Sequence, residues 1–464
     1  MSRRATLIAV ACLACVRYQP RPIDPAVHPA EVRARTLGDS VLVARVARFA
    51  GAPQRDRWTD RQLAVAALHL RSDLRRLRAE WRAAGAAVRS AGERPGVGAQ
   101  GELERRVGGA NDASPWVVAV GGLFALELGG KRGARLQAAR AGVAVAESRL
   151  LSAAWSAAAD ARMAAAELVR AAGEADDARA EVRLLEEVHT LEGARYAEAA
   201  LGASDLARTA TDIQTARLSV AEADHAALRA RAALARALAL PLRAVELLET
   251  RMTSTEGCRT LDSIGADSIV IRAVGRRQEV TLALGEYAAA ESRLRLEVAR
   301  QYPDLELGPG FIWDQGVHRW TLALALPGLL GGRNRGAIRQ ADATREVAAL
   351  AVAEVQDSVQ ADVEDAIQQC RGVALELGAA DSVIGAASRQ VERERSAYQR
   401  GETSRLEPAR AELQLLRAER ARRRAQRGLD IASLELERAG GTPGLPRGAW
   451  PDPREEPEEE AAGP

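Results

Sequence analysis

Proline is absent between Pro115 and Pro241 and again between Pro327 and Pro408. Inside a helix, proline removes a backbone donor and clashes with the preceding turn, so nothing in either stretch forbids continuous helix. Both are filled with Ala, Leu, Arg and Glu, which are strong helix formers. In the second, Val352, Val355, Val359, Val363 and Ile367 fall at helical spacing with Glu354, Asp357, Asp362, Glu364 and Asp365 between them. Helices are predicted from about Arg132 to Arg195 and from about Asn334 to Gln399, each on the order of 100 Å long at 1.5 Å per residue. No single globular domain is that long. With 3% aromatic residues the chain cannot build a large conventional core, and slender, closely packed helical hairpins suit it better. Its 65 basic and 63 acidic residues nearly cancel, so no long-range field points to nucleic acid. The basic residues are arginines except Lys131.

The chain also matches itself. Ala67-Leu68 and Arg71-Ser72-Asp73-Leu74 recur as Ala273-Val274 and Arg277-Gln278-Glu279-Val280, and Trp81 as Tyr287. Gly129-Gly130 with Arg132-Gly133-Ala134 recurs as Gly331-Gly332 with Arg335-Gly336-Ala337; Tyr196, Leu206, Ile213 and Gln214 recur as Tyr398, Leu406, Leu413 and Gln414. A period of roughly 200 residues is too long for a solenoid and indicates a duplicated unit. Each copy reads helix, two strands, very long helix, turn, helix. The first spans 59–240 and the second 268–439, with a linker at 241–267. Thr59 to Gln62 reads as a capping box opening a helix to about Ala91. The turns fall at Ala200-Leu201-Gly202-Ala203-Ser204 and Arg400-Gly401-Glu402-Thr403-Ser404, the first three residues longer when counted from Tyr196 to Gly202 against Tyr398 to Gly401. Ser404 and Glu407 form a second predicted capping box, with Pro408 in the first turn.

Between the helices the apolar period changes from 3.6 to 2. Strands are predicted at about 94–104, 115–127, 303–314 and 318–326. Trp116, Val118, Val120, Phe124 and Leu126 share one face, as do Leu305, Leu307, Phe311 and Trp313, and Trp320, Leu322, Leu324 and Leu326. Small or polar residues occupy the other face. Alternation alone fits half-buried hairpins as well as a membrane barrel. Strands of about ten residues with terminal aromatics suit the barrel, and the mature chain has no run of 18 apolar residues to cross a membrane as a helix. Four strands cannot close a barrel, so membrane-spanning strands here require an oligomer.

Arg3 and Arg4 precede a short apolar run, Ala5 to Ala14, which reads as an export signal spanning 1–14. Leu13-Ala14-Cys15 resembles the end of a lipoprotein signal, making Cys15 the lipidation candidate and Cys12 a weaker second one. Residues 15–58 read as a proline-rich tether and an equatorial segment. Cys258 and Cys370 could form a disulfide or remain two free thiols, the latter being preferred. The proline- and glutamate-rich tail 440–464 is expected to be disordered.

No catalytic chemistry assembles. Gly129-Gly130-Lys131-Arg132 lacks the earlier glycine and following hydroxyl of a phosphate loop. His28, His69, His189, His225 and His318 show no ligand spacing, and no paired Cys-x-x-Cys motifs occur, Cys12 and Cys15 lying at the end of the export signal. No enzyme activity, cofactor or resident metal is predicted.

The lipobox-like cysteine, the duplicated helix–strands–long helix–turn–helix unit and the turn pattern Tyr398-x-x-Gly401-x-x-Ser404-x-Leu406 together resemble the TolC family of outer-membrane efflux channels over roughly residues 15–440. The junctions Leu126 to Gly133 and Gly332 to Ile338 look most like those of the CzcC-type branch, associated with cobalt, zinc and cadmium export. The resemblance implies a mainly α homotrimer. Each chain would give four strands to a shared 12-stranded barrel in outer-membrane lipid and two hairpins to a periplasmic tunnel, working with a periplasmic adaptor (a membrane fusion protein) and an inner-membrane resistance-nodulation-division pump. Divalent heavy-metal cations would be the cargo, although no residue here specifies the ion. Tyr196, Gly202, Ser204, Asp205, Leu206, Tyr398, Gly401, Ser404, Leu406 and Glu407 would form the periplasmic tips, where gate and adaptor meet. Asp205 and Glu407 fit either carboxylate rings or ordinary first-turn acids favoured by the helix dipole. Export of drugs or proteins through the same kind of duct, and a periplasmic coiled-coil scaffold, are the alternatives.

Overall fold

The computed structural model describes residues 18–450 except 55, 106, 108–114, 254–256, 262–264, 315, 328–333 and 442–443. Cys12, Cys15, Gly331, Gly332 and the tail from 451 therefore lie outside the described residues. In chain order the elements are α1 (Val27–Ala34), α2 (Ser40–Ala50), β1 (Arg57–Thr59), α3 (Asp60–Leu70), α4 (Ser72–Gly92), β2 (Gly98–Arg105), β3 (Trp116–Leu126), α5 (Lys131–Ala197), α6 (Ala203–Ala237), β4 (Glu249–Arg251), α7 (Ala266–Arg276), α8 (Gln278–Ala299), β5 (Leu305–Asp314), β6 (Val317–Ala325), α9 (Arg335–Gln399) and α10 (Leu406–Ala439). The chain is mainly helical with a small sheet part. The 67 residues of α5 and 65 of α9 give helices of about 100 Å, the length that the proline gaps predict.

The duplication is visible in detail. The single helix expected from Thr59 to Ala91 is two, because Arg71 is extended (φ −71°, ψ 124°) between α3 and α4. Arg277 repeats this break between α7 and α8 (φ −63°, ψ 135°). Each arginine reaches the acid two residues on, Arg71 to Asp73 at 2.7 Å and Arg277 to Glu279 at 3.2 Å. The repeat keeps both the break and the arginine–acid pair beside it. At Thr59 the capping box forms in both directions. The second one does not: α10 starts at Leu406 with Arg405 in the capping position and no side-chain cap bond.

Around the middle of the molecule these breaks sit in a belt. β1 and β4 pair in parallel, and the largest core, including Leu42, Val46, Trp58, Leu63, Leu150, Leu234, Leu238 and Val245, joins α2, α3, α5 and α6. Leu445 and Ala449 are buried in that core and Trp450 stacks on Trp155 at 5.8 Å. The tail expected from Gly440 thus includes an ordered stretch that takes in Leu445, Ala449 and Trp450, because its apolar residues find a groove that composition could not show. A second core joins Ala273 and Val280 to Val359, Val363, Ile367 and Cys370 of α9 and Ala432, Leu436 and Ala439 of α10. Beside it Cys258 and Cys370 form a disulfide with Cα atoms 5.4 Å apart, correcting the preference for free thiols. Their separation of 112 residues in sequence hid a contact made by packing the linker against α9.

Helix α5 packs against α4, α6, α8 and α10, whereas α9 packs against α7, α8 and α10. On the tip side of the belt the hairpins therefore lie side by side as α6, α5, α10, α9, leaving α6 and α9 as outer edges.

Candidate functional site

The four strands make one sheet in the order β2-β3-β5-β6, all neighbours antiparallel. Its centre is the β3–β5 pair, so the sheet joins the two repeats. β2 and β6 are the edge strands, each with one side unpaired among the described residues. Directly opposed residues of antiparallel strands share a face. The register places Val118 opposite Trp313, Val120 opposite Phe311, Phe124 opposite Leu307 and Leu126 opposite Leu305. On the far side Phe311 lies opposite Trp320 and Leu307 opposite Leu324, with Leu322 opposite Pro309. The apolar residues predicted to share a face on each strand, Leu326 beyond the end of β6 excepted, thus stand on one surface, with Trp116 at the start of β3 beneath Arg105. Phe311 and Trp320 pack at 5.1 Å between centroids. In the protomer Trp320 is 84% exposed, Leu322 64% and Leu324 65%, an apolar surface that has no core to cover it. The opposite face mixes polar and small residues, among them Gln100, Glu102, Ala119, Gly121, Glu306, Gly310, Asp314, Arg319, Thr321 and Ala323, with the apolar Val117, Leu123, Ile312 and Val317, and Arg319 bridges Asp314 at 2.6 Å. Among the described residues no helix is long and apolar enough to cross a membrane.

Two junctions convert strand into long helix. Gly130 caps α5 in the left-handed region (φ 71°), and Asn334 caps α9 in the same conformation (φ 56°). Asparagine tolerates this region because its short amide bonds locally. Here Asn334 Nδ2 donates to the Glu297 carbonyl at 2.9 Å and carboxylate at 2.8 Å. Gly129, also left-handed, sits under Tyr302, where any Cβ would come within 2.6 Å of the ring. Lys131 bridges Asp304 at 2.7 Å with its side chain 12% exposed, fastening the first junction to the start of β5.

At the far ends of the hairpins the tips turn alike. Gly401 (φ 76°) donates to the Tyr398 carbonyl and Glu402 to that of Ala397, each at 2.9 Å. In the first tip Ala199 (φ 60°) donates to Tyr196 and Ala200 to Arg195, also at 2.9 Å. The structural counterpart of Gly401 is therefore Ala199, and Gly202 instead caps α6. The first corner is not three residues longer, as the glycine alignment suggested. Tyr196 and Tyr398 are both about half exposed. Asp205 lies 3.7 Å from Arg208 and Glu407 3.5 Å from Arg410, the pairing of ordinary first-turn acids. Leu406 is buried against Val188 and Ala409. Ser204 is exposed at the start of α6, and Leu206 is half-buried one turn inside it.

Sequence reasoning missed the seam between the repeats. Arg410 meets Glu192 at 2.8 Å, Arg417 and Arg420 meet Glu181 at 2.8 and 2.6 Å, and Arg423 and Arg427 meet Asp177 at 2.8 and 2.9 Å. Nearest the tip Arg405 meets Glu187 at 3.1 Å. Residues 410, 417, 420, 423 and 427 lie at helical spacing along one stripe of α10, a signal the arginine-rich run did offer. In the belt, Arg162 is buried between Asp60 and Glu437 at 2.8 Å each, and Asp60 also accepts from Thr253. Among the described residues no group of three or more metal-ligating side chains exists.

No protein-family profile and no curated protein matches the chain. Solved structures do. The outer-membrane protein VceC of Vibrio cholerae is similar with a TM-score of 0.64 and 20% identity, over 82% of this chain and 95% of VceC. The outer-membrane channel OprN aligns with 93% of this chain and 99% of its own at a TM-score of 0.66 and 18% identity. The open-state MtrE outer-membrane channel of Neisseria gonorrhoeae gives 0.60 and 18% over 91% and 98%. The fold is that of these outer-membrane channels.

Proposed function

We propose that the protein is the outer-membrane exit duct of a tripartite efflux system. The observation that carries this reading is the sheet: four strands with one largely apolar face and, among the described residues, two open edges and no core over that face. Closure demands about eight strands or more, and three copies joined β6 to β2 supply twelve. The helices agree, since α6 and α9 leave Leu218, Leu228, Val347, Leu350, Leu375 and Val383 exposed along the edges that neighbouring copies would cover. Three pairs of hairpins, each built on a helix about 100 Å long, then extend the barrel as a tunnel toward a periplasmic adaptor and an energised pump. Passage is passive, and selection belongs to the pump. The CzcC-like junctions favour divalent heavy-metal cations as cargo.

The disulfide fits export, because such bonds persist in oxidising compartments. An anchor at Cys15 fits the geometry too. Arg35 is held by the carbonyls of Leu70 and Ala239 at 3.1 and 3.2 Å, and the 21 residues of α4 rise about 32 Å from there to the sheet. Residues 15–34, even with α1 helical, reach about 50 Å, enough to set a lipid in the inner leaflet.

The test is to express the full chain in a Gram-negative host, extract the outer-membrane fraction and measure the protein mass of the complex by light scattering. Three times the 49.5 kDa chain mass, less the signal, supports the duct. A soluble periplasmic monomer or dimer overturns it in favour of a coiled-coil scaffold. Metal efflux from cells carrying the matching pump then tests the cargo, and resistance to drugs without resistance to metals would reassign it.

A further inference from the structure

One stripe of α4 carries charge that nothing nearby answers. Arg75, Arg78, Arg82 and Arg89 follow one another at intervals of three, four and seven residues, so they lie along one side of the helix. Arg75, Arg82 and Arg89 are exposed and have no ion-pair or hydrogen-bond partner among the described residues. Both acids of α4 are taken, Asp73 by Arg71 and Glu80 by Arg76. The duplication shows that a helix in this place does not need the stripe in order to pack. At the matching positions α8 carries Thr281, Leu284, Ala288 and Arg295, and Arg295 bonds Glu291 at 3.2 Å.

The stripe and the start of the tail share a side of the molecule. At about 100° per residue, the four arginines stand within about 40° of directly opposite Asp73. Asp73 holds Arg71 at 2.7 Å, and Arg71 is drawn as well to Asp160 of α5. Trp155, on which Trp450 stacks, is about 140° around α5 from Asp160, which turns it to the arginine side. Counted toward the sheet, Trp155 is about 8 Å beyond Asp160 and Arg75 about 6 Å beyond Arg71. Trp450 and Arg75 are therefore nearly level, one helix spacing of about 10 Å apart. After Trp450 the sequence continues with Asp452, Glu455, Glu456, Glu458, Glu459 and Glu460 against a single base, Arg454. Ten extended residues reach about 33 Å, whereas Arg89 is about 21 Å from Arg75 along the helix.

We propose that the acidic segment 452–460 docks within its own chain along the Arg75–Arg89 stripe of α4, covering the first repeat between belt and sheet and leaving the second repeat bare. An exposed ion pair is weak by itself, but the tether holds the segment at millimolar effective concentration and several pairs act together. The contact is salt-sensitive for the same reason. It goes beyond the duct reading and does not depend on it.

Amine chemistry on the full chain in detergent tests it, because Lys131 is the only native lysine and its side chain is 12% exposed against Asp304. The variant Arg82→Lys is treated with a water-soluble carbodiimide, which activates a carboxylate so that the new amine forms an amide and the reagent leaves as its urea. Peptide mapping should join the peptide holding position 82 to one holding 455–460 within a single chain, at a yield about tenfold lower in 0.5 M salt. Ala288→Lys, at the matching position of the second repeat, should give no such link. In a second measurement on the full chain, a glutamyl endopeptidase should cut within 455–460 several-fold faster in Arg75→Gln/Arg82→Gln/Arg89→Gln than in the native protein, at an unchanged melting temperature. No link from Arg82→Lys, an equal yield from Ala288→Lys, links only between chains, or unchanged cleavage in the triple variant would each overturn the proposal. Unchanged cleavage together with lost binding of phosphatidylglycerol micelles would reassign the stripe to lipid headgroups. Failure of the duct reading is distinguishable, since a soluble monomer would give the same links and cleavage rates.

Discussion

Two residues decide more than their type suggests. Ala199 occupies a left-handed corner that Gly401 fills in the other tip, and a Cβ there costs about 1 kcal/mol. Ala199→Gly should therefore stabilise the first tip by about 1 kcal/mol, and Gly401→Ala should destabilise the second by a similar amount. Exchange of the tip amides reads both. Arg162 is the stronger case. Its side chain is 6% exposed, and it neutralises Asp60, whose side chain is fully buried. Arg162→Met leaves that charge without its main partner, so a loss of about 3–5 kcal/mol is expected, measured as a fall in the thermal midpoint. Neither position is legible in sequence. An alanine among alanines carries no sign of a positive φ, and an arginine among arginines carries no sign of burial.

At the scale of elements, the sheet makes the sharpest prediction. Leu322→Arg and Leu324→Arg each place a charge on the surface assigned to lipid, at about 2–4 kcal/mol near the bilayer midplane. Outer-membrane trimer should be lost from the double variant, whereas Thr321→Arg, on the opposite face, should still assemble. Equal trimer yields from the double variant and Thr321→Arg would remove the barrel. At the second tip Glu412 links α10 to α9 by accepting from Arg395 at 3.0 Å and from Arg405 at 3.3 Å. Burial pushes its pKa up, but the two arginines outweigh it and hold the carboxyl below its ordinary 4.5. A depressed pKa means that the folded state favours the ionised form, so the stabilisation is complete above pH 4.5 and lost as pH falls through the folded value. Exchange of residues 390–412 should thus rise on acidification below about pH 4.5 and not between pH 6 and 8. The strands and long helices were readable because periods of 2 and 3.6 are local. Their partners were not, since pairing β3 with β5 joins segments almost 200 residues apart.

For the whole molecule, the disulfide closes a loop across 112 residues. By the chain-entropy argument its removal should cost about 5 kcal/mol, an upper figure where the unfolded state keeps structure. Cys258→Ser/Cys370→Ser should unfold at lower temperature while the sheet still inserts, because the staple lies in the belt. Trimer yield and melting temperature of the double variant, measured together, separate the two effects. The same scale explains the tail. Leu445, Ala449 and Trp450 lie within a stretch whose prolines and glycines predict disorder, yet the core that receives them spans α2 and α5. Its existence depends on the first repeat being folded beneath the end of the second.

The amino-acid sequence by itself determined the duplication, the two long helices, the strand faces and the first capping box. Each of these rests on the spacing of residue types within a few turns or along one strand, where backbone geometry dictates which side chains share a face. Only the tertiary structure decided the breaks at Arg71 and Arg277, the disulfide, the buried Asp60–Arg162–Glu437 link, the arginine seam and the equivalence of Ala199 with Gly401. Those features join residues distant in the chain or depend on a single φ, and an arginine- and alanine-rich sequence looks the same whichever of its many similar side chains makes the contact.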